Sequence, residues 1–363
     1  MEDAKDEAEA HLSGWRIAHL DLAPKIAPTT RLAFGRGWLA QVTQQRLAVV
    51  ETKTFRTIVE VPVNGHAQVV TVFDGGFLAV DDRQLLRLLP REAKFRTYAR
   101  PTFFAGSQLI PNPRDYETFY VFHHPTPTIY SYALDDRDAL KLVDAGLATT
   151  TRYATLPISQ TLALDGTART PAVGSTPVER ARAFALLRDG SFAVAFNEQV
   201  IVTTVSGWSH AFSLKSSEFG IQRMIPGASL QQAWVITGDG ALKLLQFAGT
   251  RAKVVASVPG HASVIDLGVA GKLLLSLELA PPGTGVRHFR VVARGFTGEE
   301  QFSVEVGALS NARGVDWAKQ ALADKNFAVS PYEPIFGLSG DASLRVFSSR
   351  TGALVFDSTS ISH

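Results

Sequence analysis

A short apolar run that keeps returning constrains this chain more than any other feature. Runs of four to eight β-branched, aromatic or leucine residues, bounded by Gly, Asp, Asn or Pro, recur roughly every 8 to 12 residues. Apolar spacing of the kind that builds long helices is almost missing. Leu32 to Phe34, Trp38 to Val42, Arg46 to Glu51 and Thr57 to Val63 read as four strands, with turns at Gly35-Arg36-Gly37, Thr43-Gln44-Gln45 and Thr52-Lys53-Thr54. After the Gly65-His66 pair the order repeats, with Gln68 to Phe73, Phe77 to Val80, Leu85 to Leu89 and Phe95 to Tyr98.

The same four-strand unit can be laid down seven times at a period of about 45 residues, the spacing of propeller blades. Each unit alone would expose an apolar face and an unpaired edge; packing seven around an axis buries the faces and leaves only short outer edges. The expected fold is therefore all-β: a seven-bladed β-propeller of four-stranded antiparallel blades, with one insertion and one short helix. Blades fall near 31–63, 67–99, 103–145, 182–214, 219–258, 262–307 and 327–359, all within one unit spanning 14–363. The long spacing before blade four marks 146–181 as an inserted loop or hairpin. Asp316 to Lys325 has an Asp cap and good helix formers, so a short helix is expected there. Residues 1–13 read as an acidic tail or a short helix, and Trp15 to Leu22 as a strand that closes the ring beside the first or last blade.

Composition sets the class of partner. The 363 residues carry 36 Lys and Arg against 34 Asp and Glu, a formal net charge of +2, with no concentrated basic stripe of the kind nucleic acid demands. No cysteine is present, so disulfides, thiolate metal sites and Cys nucleophiles are excluded. No apolar run is long enough to span a membrane. The first eleven residues hold five acids and one Lys, unlike a secretory signal, and with the absence of Asn-x-Ser/Thr sequons this leads to an expected cytoplasmic location.

The segment Phe327-Ala-Val-Ser-Pro-Tyr-Glu-Pro-Ile-Phe-Gly-Leu-Ser-Gly-Asp-Ala-Ser-Leu-Arg-Val-Phe347, followed by Ser348 to Asp357, resembles a WD-repeat blade. Asp239-Gly-Ala-Leu-Lys-Leu-Leu245 repeats its Asp-centred part, and the pairs Gly65-His66 and Gly260-His261 sit where that family places a Gly-His. Phe347 and Leu245 stand where the family closes its third strand with Trp. The resemblance implies a propeller that serves as a scaffold. Asp82, Asp239 and Asp341 are expected to accept backbone N–H bonds at tight turns, and His66 and His261 to bond within their blades.

Sites for chemistry are sparse. Among nine histidines the close pair is His123-His124, whose side chains would point to opposite faces of a continuing strand and so not share a metal. Asp135-Asp136-Arg137-Asp138 falls in a turn and lacks the Gly and terminal Glu of a calcium loop. Gly35-Arg-Gly-Trp-Leu-Ala40 fits a degenerate dinucleotide fingerprint, but no helix follows to hold a pyrophosphate. No Gly-x-Ser-x-Gly elbow, Walker sequence or His-Glu-x-x-His occurs. No catalytic residue, metal or cofactor is therefore expected. Surface recognition remains: loops entering the innermost strands and loops joining second to third strands gather on one face, and that rim includes Gln44, Gln45, Arg46, Arg83, His123, His124 and the insertion. Arg46 and Arg83 are the leading contacts for a protein or peptide partner, because Arg is enriched at interfaces. The competing expectation is a hydrolase or lyase whose carboxylates converge at the channel from different blades.

Overall fold

Strand pairing follows the chain in steps of four. The computed structural model describes residues 31–43, 46–65, 67–72, 75–89, 94–99, 101, 107–112, 117–123, 128–134, 140–147, 181–196, 199–204, 209–215, 220–248, 251–258, 264–279, 286–310, 326–339 and 343–358. Blade 1 comprises β1 (Leu32–Phe34), β2 (Trp38–Val42), β3 (Arg46–Glu51) and β4 (Thr57–Pro62); blade 2 comprises β5 (Gln68–Thr71), β6 (Phe77–Val80), β7 (Gln84–Leu89) and β8 (Lys94–Ala99). Blade 3 holds β9 (Ser107–Pro111), β10 (Thr118–His123), β11 (Thr128–Leu134) and β12 (Leu140–Leu147). Blade 4 holds β13 (Ala183–Leu186), β14 (Phe192–Ala195), β15 (Gln199–Thr203) and β16 (Ser209–Ser213). In blade 5 the strands are β17 (Arg223–Pro226), β18 (Gln232–Ile236), β19 (Leu242–Ala248) and β20 (Arg251–Val258). Blade 6 has β21 (Val264–Ala270), β22 (Leu273–Leu279), β23 (Val286–Gly295) and β24 (Glu300–Ser310). Blade 7 has β25 (Asn326–Val329), β26 (Ile335–Ser339), β27 (Leu344–Ser348) and β28 (Leu354–Asp357).

Within each blade neighbouring strands pair antiparallel in sequence order. Among the described residues a single parallel pair, Ser213 with Arg251, joins the outermost strands of blades 4 and 5. First strands touch first strands, as in β25 with β1, β1 with β5 and β17 with β21, which places them around the axis. The molecule is a seven-bladed, all-β propeller.

The core is not one mass but seven, one at each junction between blades. Period-two alternation produces this, since successive side chains leave a strand on opposite faces. In β6, Phe77 and Ala79 pack toward blade 1 while Leu78 and Val80 pack toward blade 3. Both faces are buried, so inner strands read as unbroken apolar runs. The ring closes where Leu32, Phe34, Leu39 and Val50 of blade 1 meet Leu344 and Val346 of blade 7. Phe55 stacks on Phe356 across that seam, with centroids 4.3 Å apart and planes 8° from parallel. Each of these two blades takes its four strands from one continuous stretch, so closure among the described residues comes from packing faces rather than an exchanged strand. Trp15 to Leu22, the acidic start, residues 148–180 of the insertion and the helix expected at 316–325 lie outside the described residues. β12 continues through Gly146 and Leu147.

Outer edges carry a recurrent irregularity. The fourth strand leaves residues without a partner in blades 1, 3, 5, 6 and 7: Ile58, Val143, Val255, both Gln301 and Val306 in blade 6, and Val355. Such bulges twist an edge away from further pairing.

Two local readings need correction. The apolar-run pattern does not mark the first strand of blade 3, β9, because Ser-Gln-Leu-Ile-Pro offers only two apolar residues before a proline; a side chain of blade 2 holds it. At the turn between β6 and β7 the capping carboxylate is Asp81 rather than Asp82. Asp81 is 1% exposed, and its Oδ1 accepts the N–H groups of Arg83 and Gln84, both at 2.8 Å. Asp82 is exposed and sits against Gly65, leaving no room there for a Cβ.

Candidate interaction surface

One rim of the propeller is built from the turns between second and third strands together with the links that enter the innermost strands. Arg46 opens β3 in blade 1, Arg83 precedes β7 in blade 2, and His123 ends β10 in blade 3, so the three occupy equivalent turns of successive blades. Gln44, Gln45 and His124 adjoin these turns but lie outside the described residues. Arg46 reaches Glu60 at 3.5 Å with the two side chains 60% and 46% exposed. A pair that wet contributes little to stability. Arg83 is exposed on a turn fixed from beneath. Asp81 Oδ2 accepts the Asn64 N–H at 3.0 Å, and the Asp82 N–H donates to Asn64 O at 3.1 Å, which stitches the link from blade 1 to the turn of blade 2. His123 is half-buried, with Nδ1 3.2 Å from the Ser107 hydroxyl, and so ties the rim to the innermost strand β9.

Asp239 organises the equivalent turn of blade 5. Its Oδ1 accepts bonds from Thr237 Oγ1 at 2.5 Å and the Ala241 N–H at 3.2 Å. Burial alone would raise its pKa, but those bonds and the positive charge of Lys243 outweigh it, and the carboxyl is held below its ordinary value. Asp341, His66 and His261 lie outside the described residues.

The inner wall is cross-stitched. Gln68 of β5 donates from Nε2 to Ser107 O at 2.9 Å and accepts the Leu109 N–H at 3.1 Å, which clamps the short β9. Thr71 donates to Phe34 O at 2.7 Å. Arg223 Nε meets Asp266 Oδ1 at 3.0 Å across blades 5 and 6. A buried ionic cluster joins strands of blade 6: Glu278 receives Arg290 Nη2 at 3.2 Å and Arg294 Nη1, and Ser276 is bonded to both Glu278 and Arg294. Among the described residues no group of three or more Asp, Glu or His side chains is placed to hold a metal.

Sequence reasoning overlooked the opposite face, formed by turns between first and second and between third and fourth strands. A groove of about 370 Å³ lies there between blades 4 and 5, lined by Asp189, Ser229, Leu230, Gln231 and Gln246, with Leu230 64% exposed. Opposite it, at the seam of blades 7 and 1, Arg36 lies over the ring of Tyr332, 5.6 Å from its centroid. No period marks either place; the one hint is a large apolar or aromatic residue inside a polar turn.

Among the described residues no helix is long and apolar enough to cross a membrane. No family model matches the chain. No curated protein matches it either. Solved structures do. Sqt1 of Saccharomyces cerevisiae aligns at 8% identity with a TM-score of 0.53, covering 92% of this chain and 86% of that one. The Cps50 (Swd1) β-propeller domain of Myceliophteria thermophila aligns at 10% identity with a TM-score of 0.58 over 88% and 97% of the two chains. AztD of Citrobacter koseri aligns at 10% identity and 0.57 over 88% and 93%. At these identities the likeness is one of fold. Sqt1 and Swd1 are propellers of the WD-repeat type, and this chain shares their architecture.

Proposed function

We propose that the protein is a non-catalytic, WD-repeat-like scaffold acting in the cytoplasm, whose rim of second-to-third-strand turns receives a protein or peptide partner. Arg46 and Arg83 are the principal contacts. Gln44, Gln45, His123, His124 and the 146–181 insertion complete the surface. The observation that carries this reading is the Asp81–Asn64 stitching, which fixes the backbone under Arg83 while its side chain stays exposed. A rigid support under an exposed Arg lowers the entropy lost on binding. Similarity to WD-repeat propellers agrees with a platform role.

The test is affinity capture with the tagged full chain as bait, followed by quantification of the recovered partner. Combined Arg46→Ala and Arg83→Ala, or deletion of 150–178, is expected to weaken a stoichiometric partner by about 2 kcal/mol or more, roughly thirtyfold. Undiminished capture by both variants rejects these contacts.

A further inference from the structure

We infer that the seam where blades 7 and 1 meet, on the face opposite the rim, is a second docking surface, and that its occupant is an acidic peptide segment of another protein. Two blades contribute turns to it. Arg36 comes from the β1–β2 turn, Lys53 and Arg56 from the β3–β4 turn, Tyr332 from the β25–β26 turn and Arg350 from the β27–β28 turn. All five are exposed.

The patch is preassembled. The Thr52 N–H donates to Gly37 O at 3.1 Å and ties the two turns of blade 1, while the Ser349 N–H donates to Pro334 O at 2.8 Å and ties the two of blade 7. Thr52 Oγ1 then donates to Glu333 Oε1 at 3.0 Å across the seam, beside the stacking of Arg36 on Tyr332. Phe55, between Lys53 and Arg56, has φ of 54° and is the sole non-glycine with positive φ among the described residues. An aromatic residue there is strained. Its stack on Phe356 holds the turn in that form.

Charge sorting identifies the occupant. The two carboxylates of these turns are occupied by hydroxyl groups: Glu333 accepts from Thr52, and Glu51 accepts from Thr54 Oγ1 at 2.6 Å. The four cations, Arg36, Lys53, Arg56 and Arg350, have no ion-pair partner among the described residues. A fixed, net-positive surface with Arg and Tyr at its centre has the composition of an interface hot spot and complements carboxylates. Arg36, exposed and held over the Tyr332 ring, is the cation suited to a bidentate carboxylate contact.

The experiment is fluorescence anisotropy of fluorescein-labelled deca-glutamate titrated with the full chain at low and physiological salt, with deca-lysine as the opposite probe. Expected are saturable binding of deca-glutamate that weakens with salt, no binding of deca-lysine, and about tenfold weaker binding by Arg36→Glu and, separately, by Arg350→Glu, whose exposed turn position leaves folding intact. The rim variant Arg46→Glu with Arg83→Glu should bind within about twofold of wild type, so the result is independent of the rim reading. Absence of deca-glutamate binding, equal loss in the rim variant, or no loss in either seam variant overturns the proposal.

Discussion

Gly35 and Gly37 flank one arginine in the same turn, yet they need glycine for different reasons. A Cβ on Gly35 would lie 2.2 Å from Gly75 O and 2.8 Å from the Phe77 ring, so the requirement is the approach of two blades. Gly37 has open space around it but φ of 81°. Gly35→Ala should therefore cost about 1–3 kcal/mol by overpacking, and Gly37→Ala about 1 kcal/mol by backbone strain alone. Thermal unfolding of the two variants, with Gly35→Ala the lower-melting, checks the order. Asp239 gives a second prediction. Its folded pKa lies below the unfolded value of about 3.9, so its stabilising contribution is present above that value and disappears as pH falls through the folded pKa. Asp239→Asn should melt below wild type at neutral pH and draw level in strong acid; a gap independent of pH would contradict the assignment. At this scale the sequence was only partly legible. That an Asp would cap the β6–β7 turn could be read from turn chemistry, but Asp81 and Asp82 are indistinguishable until Asn64, in the preceding link, selects one of them.

Elements were easier to read than contacts between them. Short apolar runs bounded by turn residues located most strands, because a strand buried on both faces must be apolar throughout. β9 is hidden for the converse reason, since the Gln68 amide on a neighbouring blade clamps it and no local pattern encodes that. The edge bulges were equally hidden. Each is an extra residue that its sequence neighbours do not mark, and only pairing reveals which one. Deleting Val255 would restore a regular ladder, because Leu245 pairs with Val254 and Leu244 with Ala256 on either side of it. The side chains keep their faces, unlike in a register slip, while the edge becomes open to addition. Sedimentation velocity at rising concentration is expected to show self-association of this variant beyond that of wild type, and superimposable distributions would count against an edge-protecting role.

For the whole molecule, the blade number followed from the period, whereas the manner of closure did not. Whether Phe55 meets Phe356 depends on the total rotation accumulated around seven blades, and neither residue stands out in its own segment. The seam gives a paired prediction. Phe55→Ala loses the stack and retains a Cβ at positive φ, whereas Phe55→Gly loses the stack but relieves the backbone. The glycine variant should be more stable than the alanine variant by about 1 kcal/mol in denaturant unfolding, and the reverse order would show that the backbone there carries no strain.

Six of the seven junctions are also spanned by the chain as it passes from one blade to the next. Among the described residues, that between blades 7 and 1 is bridged by side chains alone, with no covalent tether and no shared ladder. The toroid thus has a clasp. Among the described residues no strand would have to unthread for its two end leaves to part, so anything gripping both sides of that join would act as a lock on the ring.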